Sequence, residues 1–199
     1  MNSKKPCCNV LCLLAAMMLL LSGCSVTLRS ADVPLVQAGS PLQDLQPKTF
    51  LFNPFVDTRG SDPILIHSIG GKKLVTDRPA AEVAQETIMR ELRRVGHTCI
   101  TDPSSKPYDY VVDGTLYRFG VTQNMGMWEI DIKALAGVKL TFKRSGNEKA
   151  YYANTYEGQS EFSHHTVPPS KWAEVMNDAL AKMAREMSVD ANLKRFLEQ

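Results

Sequence analysis

From Trp128 to Phe142 the chain alternates apolar and polar positions. Trp128, Ile130, Ile132, Ala134, Ala136, Val138, Leu140 and Phe142 fall on one side, and Glu129, Asp131, Lys133, Lys139 and Thr141 on the other. A period of two over such a length predicts a strand with one buried and one wet face. Residues 110–121 predict the strand before it, joined by a turn at Asn124-Met125-Gly126, and Arg144-Ser145-Gly146-Asn147 turns the chain back into a strand over 149–156. Consecutive strands with short turns make an antiparallel meander. Upstream, 49–56 and 97–101 read as shorter strands, the first ended or held to an edge by Pro54, and 64–67 as a short apolar piece closed by Gly70 and Gly71.

Helical spacing governs the other regions. Ala84, Ile88, Leu92 and Val95 mark a helix over 80–95, with Asp77 as candidate cap, Pro79 in the first turn, Arg93 and Arg94 at the negative end and Gly96 as the stop. Trp172, Met176, Ala179, Leu180, Met183 and Met187 stripe a second helix capped by Ser170, and Leu193, Phe196 and Leu197 a short third over 191–197. The stripe of the second helix is read as core, over an adaptable methionine-rich binding surface. The order predicts an α+β two-layer sandwich: a mixed sheet of about five strands including the meander, with two main helices on one face. Residues 25–48 carry Pro34, Gly39, Pro41 and Pro47 and no sustained period. They read as a flexible tether.

The front of the chain has a different character. Lys4 and Lys5 precede an uncharged run over 10–21, shorter than the ~20 residues that span a bilayer. Small residues and a cysteine follow, the layout of a secretory signal peptide. Leu21-Ser22-Gly23-Cys24 resembles the lipobox of bacterial lipoproteins, in which the cysteine is acylated and becomes the mature N-terminus. The expected organisation is a signal peptide over 1–23, a lipidated N-terminus and tether over 24–48, and one α/β domain over 49–199. Removing 23 of 199 residues leaves 176, enough for a domain with a core. The removal takes two of the 23 basic residues and leaves 21, equal to the 21 acidic ones. A balanced body has no electrostatic footprint for nucleic acid or anionic surfaces, so membrane attachment is expected through the lipid on Cys24.

The search for chemistry yields little. Cys7, Cys8 and Cys12 leave with the signal and Cys24 takes lipid, so Cys99 stands alone and reads as a buried strand thiol. His164-His165 is a doublet without further ligands at zinc spacing, while His67 and His97 are isolated. Gly70-Gly71-Lys72-Lys73 lacks the earlier glycine of a phosphate loop, because position 66 is Ile, and has Lys73 where Ser or Thr belongs. No catalytic or metal-binding residue is assigned, and no cofactor beyond the covalent lipid. Asp57, Arg59 and Asp62 in the first loop read as solvated charges, an ion pair or a partner contact.

The lipobox, the long alternating strand and the terminal helix together resemble the YajG family of small bacterial lipoproteins. The likeness rests on Tyr110-Val111-Val112-Asp113-Gly114, the strand over 130–140, Tyr156-Glu157-Gly158, and Asn177-Asp178-Ala179-Leu180 with Met183, Asp190, Leu193, Phe196 and Leu197. It covers roughly the C-terminal half and implies an envelope lipoprotein with a compact α/β domain, with no catalytic residue to carry over. In such lipoproteins an Asp after the lipidated cysteine signals inner-membrane retention. Ser25 stands there, which implies the outer membrane, facing the periplasm. The expected role is a non-enzymatic binding or assembly module for an envelope protein or wall component. The alternatives are an auxiliary lipoprotein of an envelope transport or lipid-trafficking complex, with a groove between helix and sheet, and a wall hydrolase built on Glu157, Glu161 and His164.

Overall fold

The structure is a computed structural model and describes residues 25–29, 32–34, 39–60, 73–168 and 170–199. Its centre is the expected meander: β6 (Tyr110–Met125) and β8 (Asn147–His164) run longer than the sequence pattern indicates, and β7 (Ile130–Arg144) has the expected length but starts and ends two residues later. They pair antiparallel along nearly their whole length. Beside β6 lies β2 (Thr49–Phe52), parallel to it and to β5 (Thr98–Ile100), giving the order β5-β2-β6-β7-β8. After Pro54 a two-residue strand, β3 (Val56–Asp57), continues the pairing with β6. Two further strands, β1 (Ser25–Leu28) and β4 (Lys73–Thr76), form a separate parallel pair. The short apolar piece over 64–67 lies outside the described residues.

Among the described residues three α-helices cover one face of the sheet: α1 (Ala80–Arg94), α2 (Ser170–Ser188) and α3 (Ala191–Glu198). The fold is an α+β two-layer sandwich. In β7 the alternation sets the layers, since Ile132, Ala134, Ala136, Val138, Leu140 and Phe142 are all buried against the helices. Each large side chain among them contributes about 1.5–3 kcal/mol. Trp128 departs from the expected register. It stands 79% exposed in the loop between β6 and β7, beyond the last rung of the pairing. Pro79, rather than Asp77, occupies the cap position of α1, and its carbonyl accepts from the Glu82 and Val83 amides. Ser170 is the first residue of α2. Cys99 is buried as expected, and that burial pushes its thiol up to about 12.

The stretch read as a tether is in part folded. Leu28, Val33 and Leu42 belong to the same buried cluster as the sheet and helices. Arg90 donates to the Val33 carbonyl at 3.1 Å, and Ser40 Oγ donates to the Ser188 carbonyl at 2.5 Å. Sparse apolar residues at irregular spacing give no period to read, yet Val33 lies between α1 and α2, β1 packs on α2, and the turn carrying Leu42 packs on α3.

Two glycines set the closeness of the layers. A Cβ at Gly158 would lie 1.9 Å from the Ala179 carbonyl oxygen and 2.5 Å from the Met183 nitrogen, so α2 rests directly on β8 there. A Cβ at Gly114 would fall 2.3 Å from the Phe55 ring, which fills the space.

Asp190 ties the end of α2 to the sheet. Its Oδ2 accepts from Tyr152 at 2.6 Å, Tyr156 at 2.8 Å and Asn154 at 3.0 Å, while its Oδ1 caps α3 through the Asn192 and Leu193 amides. Burial opposes the charge, but these donors outweigh it and hold the carboxyl down at about 2. A carboxyl depressed in the folded state stabilises above its unfolded pKa and loses that contribution as pH falls toward the folded one. Acid titration of stability should therefore show a loss between about pH 4 and pH 2, and Asp190→Asn should remove about 1–2 kcal/mol at neutral pH after allowance for solvent screening. Urea midpoints at pH 7 and pH 3 measure both. A variant as stable as the parent at pH 7 would show that the cluster contributes nothing.

Candidate functional site

β6 outruns the strands beside it. β2 and β3 pair with it only as far as Leu116. At that level β6 carries a bulge: Tyr117 is the extra residue, and pairing resumes at Arg118 opposite Gly137. A bulge re-aims side chains. Here it lays the Tyr117 ring across Gly137, on the sheet face away from the helices. Beyond it, Arg59, Tyr117, Gly120, Thr122, Lys133 and Leu135 line a groove of about 440 Å³.

Arg59 closes one side of this groove. Its Nε and Nη2 donate to the Asp57 carboxylate at 2.9 and 2.5 Å, its Nη1 donates to the Phe119 carbonyl at 2.9 Å, and its guanidinium lies 5.4 Å from the Phe119 ring centre. The hydrogen bond from Arg59 holds the Asp57 carboxyl below its ordinary value. Of the three loop charges singled out in the sequence, Asp57 and Arg59 form the ion pair and Asp62 lies outside the described residues. The pair is a clamp that fastens the loop to β6, each guanidinium nitrogen holding one bond within the chain.

The exchangeable charges are on the rim. Arg118 meets Glu157 at 3.2 Å and Lys133 meets Glu161 at 3.0 Å, all four side chains well exposed. Exposed pairs of this kind contribute little and part readily. Tyr117 donates to Glu157 at 2.7 Å, and burial, with that bond, raises its phenol pKa. The groove thus combines an aromatic and aliphatic floor with cations able to meet an anionic group. Sequence spacing does not reveal it, because the bulge and the overhang of β6 create it.

The hydrolase arrangement is not assembled. Glu157 and Glu161 are four positions apart on one strand, with Cα atoms roughly 13 Å apart at about 3.3 Å per residue, and each carboxylate is drawn to its own cation, Glu157 to Arg118 and Glu161 to Lys133. His164 falls in the opposite phase of the strand and bonds within its own turn, to Thr166. His165 Nδ1 meets the Trp128 carbonyl. Among the described residues no three metal-ligating side chains stand together. Where the sequence suggests a groove between helix and sheet, the Ala179 and Met183 backbone rests directly on Gly158. The void between α1, α2 and Val33 is about 10 Å³.

Leu21, Ser22, Gly23 and Cys24 lie outside the described residues, and β1 starts at the residue after them. No helix among the described residues is long and apolar enough to cross a membrane.

No family model matches the chain, and no curated protein is similar to it. Among solved structures the fold is shared with protein XCC0632 of Xanthomonas campestris, described under the family DUF330. Identity is 13%, the TM-score is 0.58, and the match covers 82% of this chain and 92% of that one. Looser likenesses include the lipoprotein GNA1162 of Neisseria meningitidis, at 10% identity, TM-score 0.34 and coverage of 70% and 99%. Another is a hypothetical protein, CT253, of Chlamydia trachomatis, at 10% identity, TM-score 0.42 and coverage of 76% and 98%. The Xanthomonas match shows a common fold and nothing finer. The two looser ones carry no argument.

Proposed function

We propose that this chain is a lipoprotein of the YajG type, held by acyl chains on Cys24 at the periplasmic face of the outer membrane, where it works as a non-enzymatic binding or assembly module. The observation that carries the reading is the order along the chain: a basic pair, an apolar run, a lipobox cysteine, and a folded strand from Ser25 onward. Cleavage before Cys24 leaves every described element intact. The partner, an envelope protein or wall component, is taken in the groove beside Arg59.

The groove also favours the second reading, an auxiliary lipoprotein of a lipid-trafficking or transport complex. Its floor of Tyr117 and Leu135 suits an acyl chain and its rim of Arg118 and Lys133 an anionic headgroup. Native mass spectrometry separates the two, since retained phospholipid supports the carrier. The anchor itself is tested by Cys24→Ser. The variant should keep its signal or appear free of membranes, while the parent sediments with them. A variant that still loses its signal and co-sediments to the same extent as the parent would overturn the anchor and the localisation together.

A further inference from the structure

Three of the seven large apolar side chains exposed among the described residues fall within four positions: Met125 at 57%, Met127 at 88% and Trp128 at 79%. They form the tip of the β6–β7 hairpin, past the last rung, where no core residue reaches them. Scattered exposed apolar groups are ordinary, but a cluster that includes an exposed tryptophan marks a surface made to be covered.

The topology says which end of the molecule carries this tip. β8 finishes at His164, paired with Ile130, and α2 begins shortly afterwards, so the hairpin and the start of α2 share one end. From there α2 runs back along β8. Asp178 meets Ser160, Ala179 and Met183 press on Gly158, and Asp190 beyond the helix meets Tyr156 and Tyr152. The N-terminal segment runs with α2, because Val33 lies beside Ala181 and Ala184 whereas Ser40 has reached Ser188. Traced back, Leu28 at the end of β1 accepts from the Asp77 amide just ahead of α1. α1 runs from the hairpin side, where Gln85 meets Phe55, to the opposite end, where Arg93 meets Cys99, so the end of β1 packs on α2 toward the hairpin side. Cys24 is the residue before β1, so a lipid on it would join the chain next to a folded strand.

The geometry points to a second, non-covalent hold on the same membrane: the hairpin tip, with Met125, Met127 and Trp128, seats in the interfacial layer of the lipid bilayer that anchors Cys24. This rests on the reading of Cys24 as acylated. Tryptophan favours that layer, where its ring is apolar and its N–H is wet, and methionine adapts to irregular apolar surroundings. Charge does not drive the contact. Glu129 is the only ionisable side chain of the loop between the strands, and Asp131 at the start of β7 is engaged with Ser163. Two attachments at one end fix how the domain stands on the surface.

The test uses the full mature chain purified from membranes and reconstituted in vesicles of phosphatidylethanolamine and phosphatidylglycerol, with and without bromine on the acyl chains. Trp172 is buried and supplies a constant background, and Trp128→Phe at an exposed position leaves the core untouched. Brominated lipid should quench part of the parent's tryptophan emission, that part should vanish in W128F, and added salt should change neither. Mass analysis of the N-terminal peptide on the same sample reads the acyl group. An acylated chain whose Trp128 stays open to aqueous acrylamide overturns the hairpin contact and leaves the anchor standing. An unacylated chain overturns the anchor, and this inference with it. Shielding of Trp128 in native envelopes but not in pure lipid identifies a protein partner at the tip and overturns the lipid assignment.

Discussion

Gly158→Val abolishes the stable fold. The added side chain would start 1.9 Å from a carbonyl oxygen and 2.5 Å from a backbone nitrogen, both inside α2. Helical backbone cannot rotate aside as a side-chain tip can, so relief requires lifting α2 off β8. That separation exposes Met176, Ala179, Leu180 and Met183, all fully buried against the sheet. Overpacking within a core usually costs about 1–3 kcal/mol. A clash with backbone exceeds that, and the loss approaches the 5–15 kcal/mol, roughly, that holds a domain together. Circular dichroism should show no cooperative melt for G158V, and even Gly158→Ala should lower Tm by more than about 10 °C. Gly39→Ala is the control, since nothing lies within 4 Å of a Cβ there. A G158V protein melting with its parent would remove the close approach from the account of this fold.

Ile132→Asp should be as damaging for a different reason. Ile132 is 1% exposed on the helix side of β7, and an aspartate there is buried without a partner or forced to keep its proton. The expected loss is about 4 kcal/mol or more. One position earlier, Asp131 is exposed and bonded to Ser163, so Asp131→Asn should stay within about 0.5 kcal/mol. The contrast between adjacent positions tests the register of β7. Melts ranking the two variants the other way would place the sheet's faces wrongly.

The layers were legible because β7 writes its environment in alternation and α2 writes its own in helical spacing. Tyr110 to Gly114 and Tyr156 to Gly158 stood out by pattern, and contacts now account for them: Gly114 receives Phe55, Gly158 receives α2, and Tyr156 reaches Asp190. What escaped has no local period. β1 and β4 are four-residue strands paired across a long separation, and Leu28, Val33 and Leu42 are single apolar residues among polar ones. Trp128 fits the alternation of β7 and is nevertheless exposed, because periodicity cannot tell where the covering helices end. The groove escaped because one extra residue, Tyr117, shifts the phase of β6. Asp57 and Arg59 were seen as a charged loop, but their attachment to Phe119 depends on a strand some sixty positions away.

The outer margin of β8 carries a consequence for how crowded copies behave. Eighteen residues of strand at the rim of a sheet offer a template onto which a neighbour's strand can zip. Near its middle, the Glu186 carboxylate of α2 bends over that rim and takes the Glu157 amide, the donor an arriving strand would need. The helix that roofs the core thus also blunts its open side at that point, a local bar to a second copy's strand zipping onto the rim there.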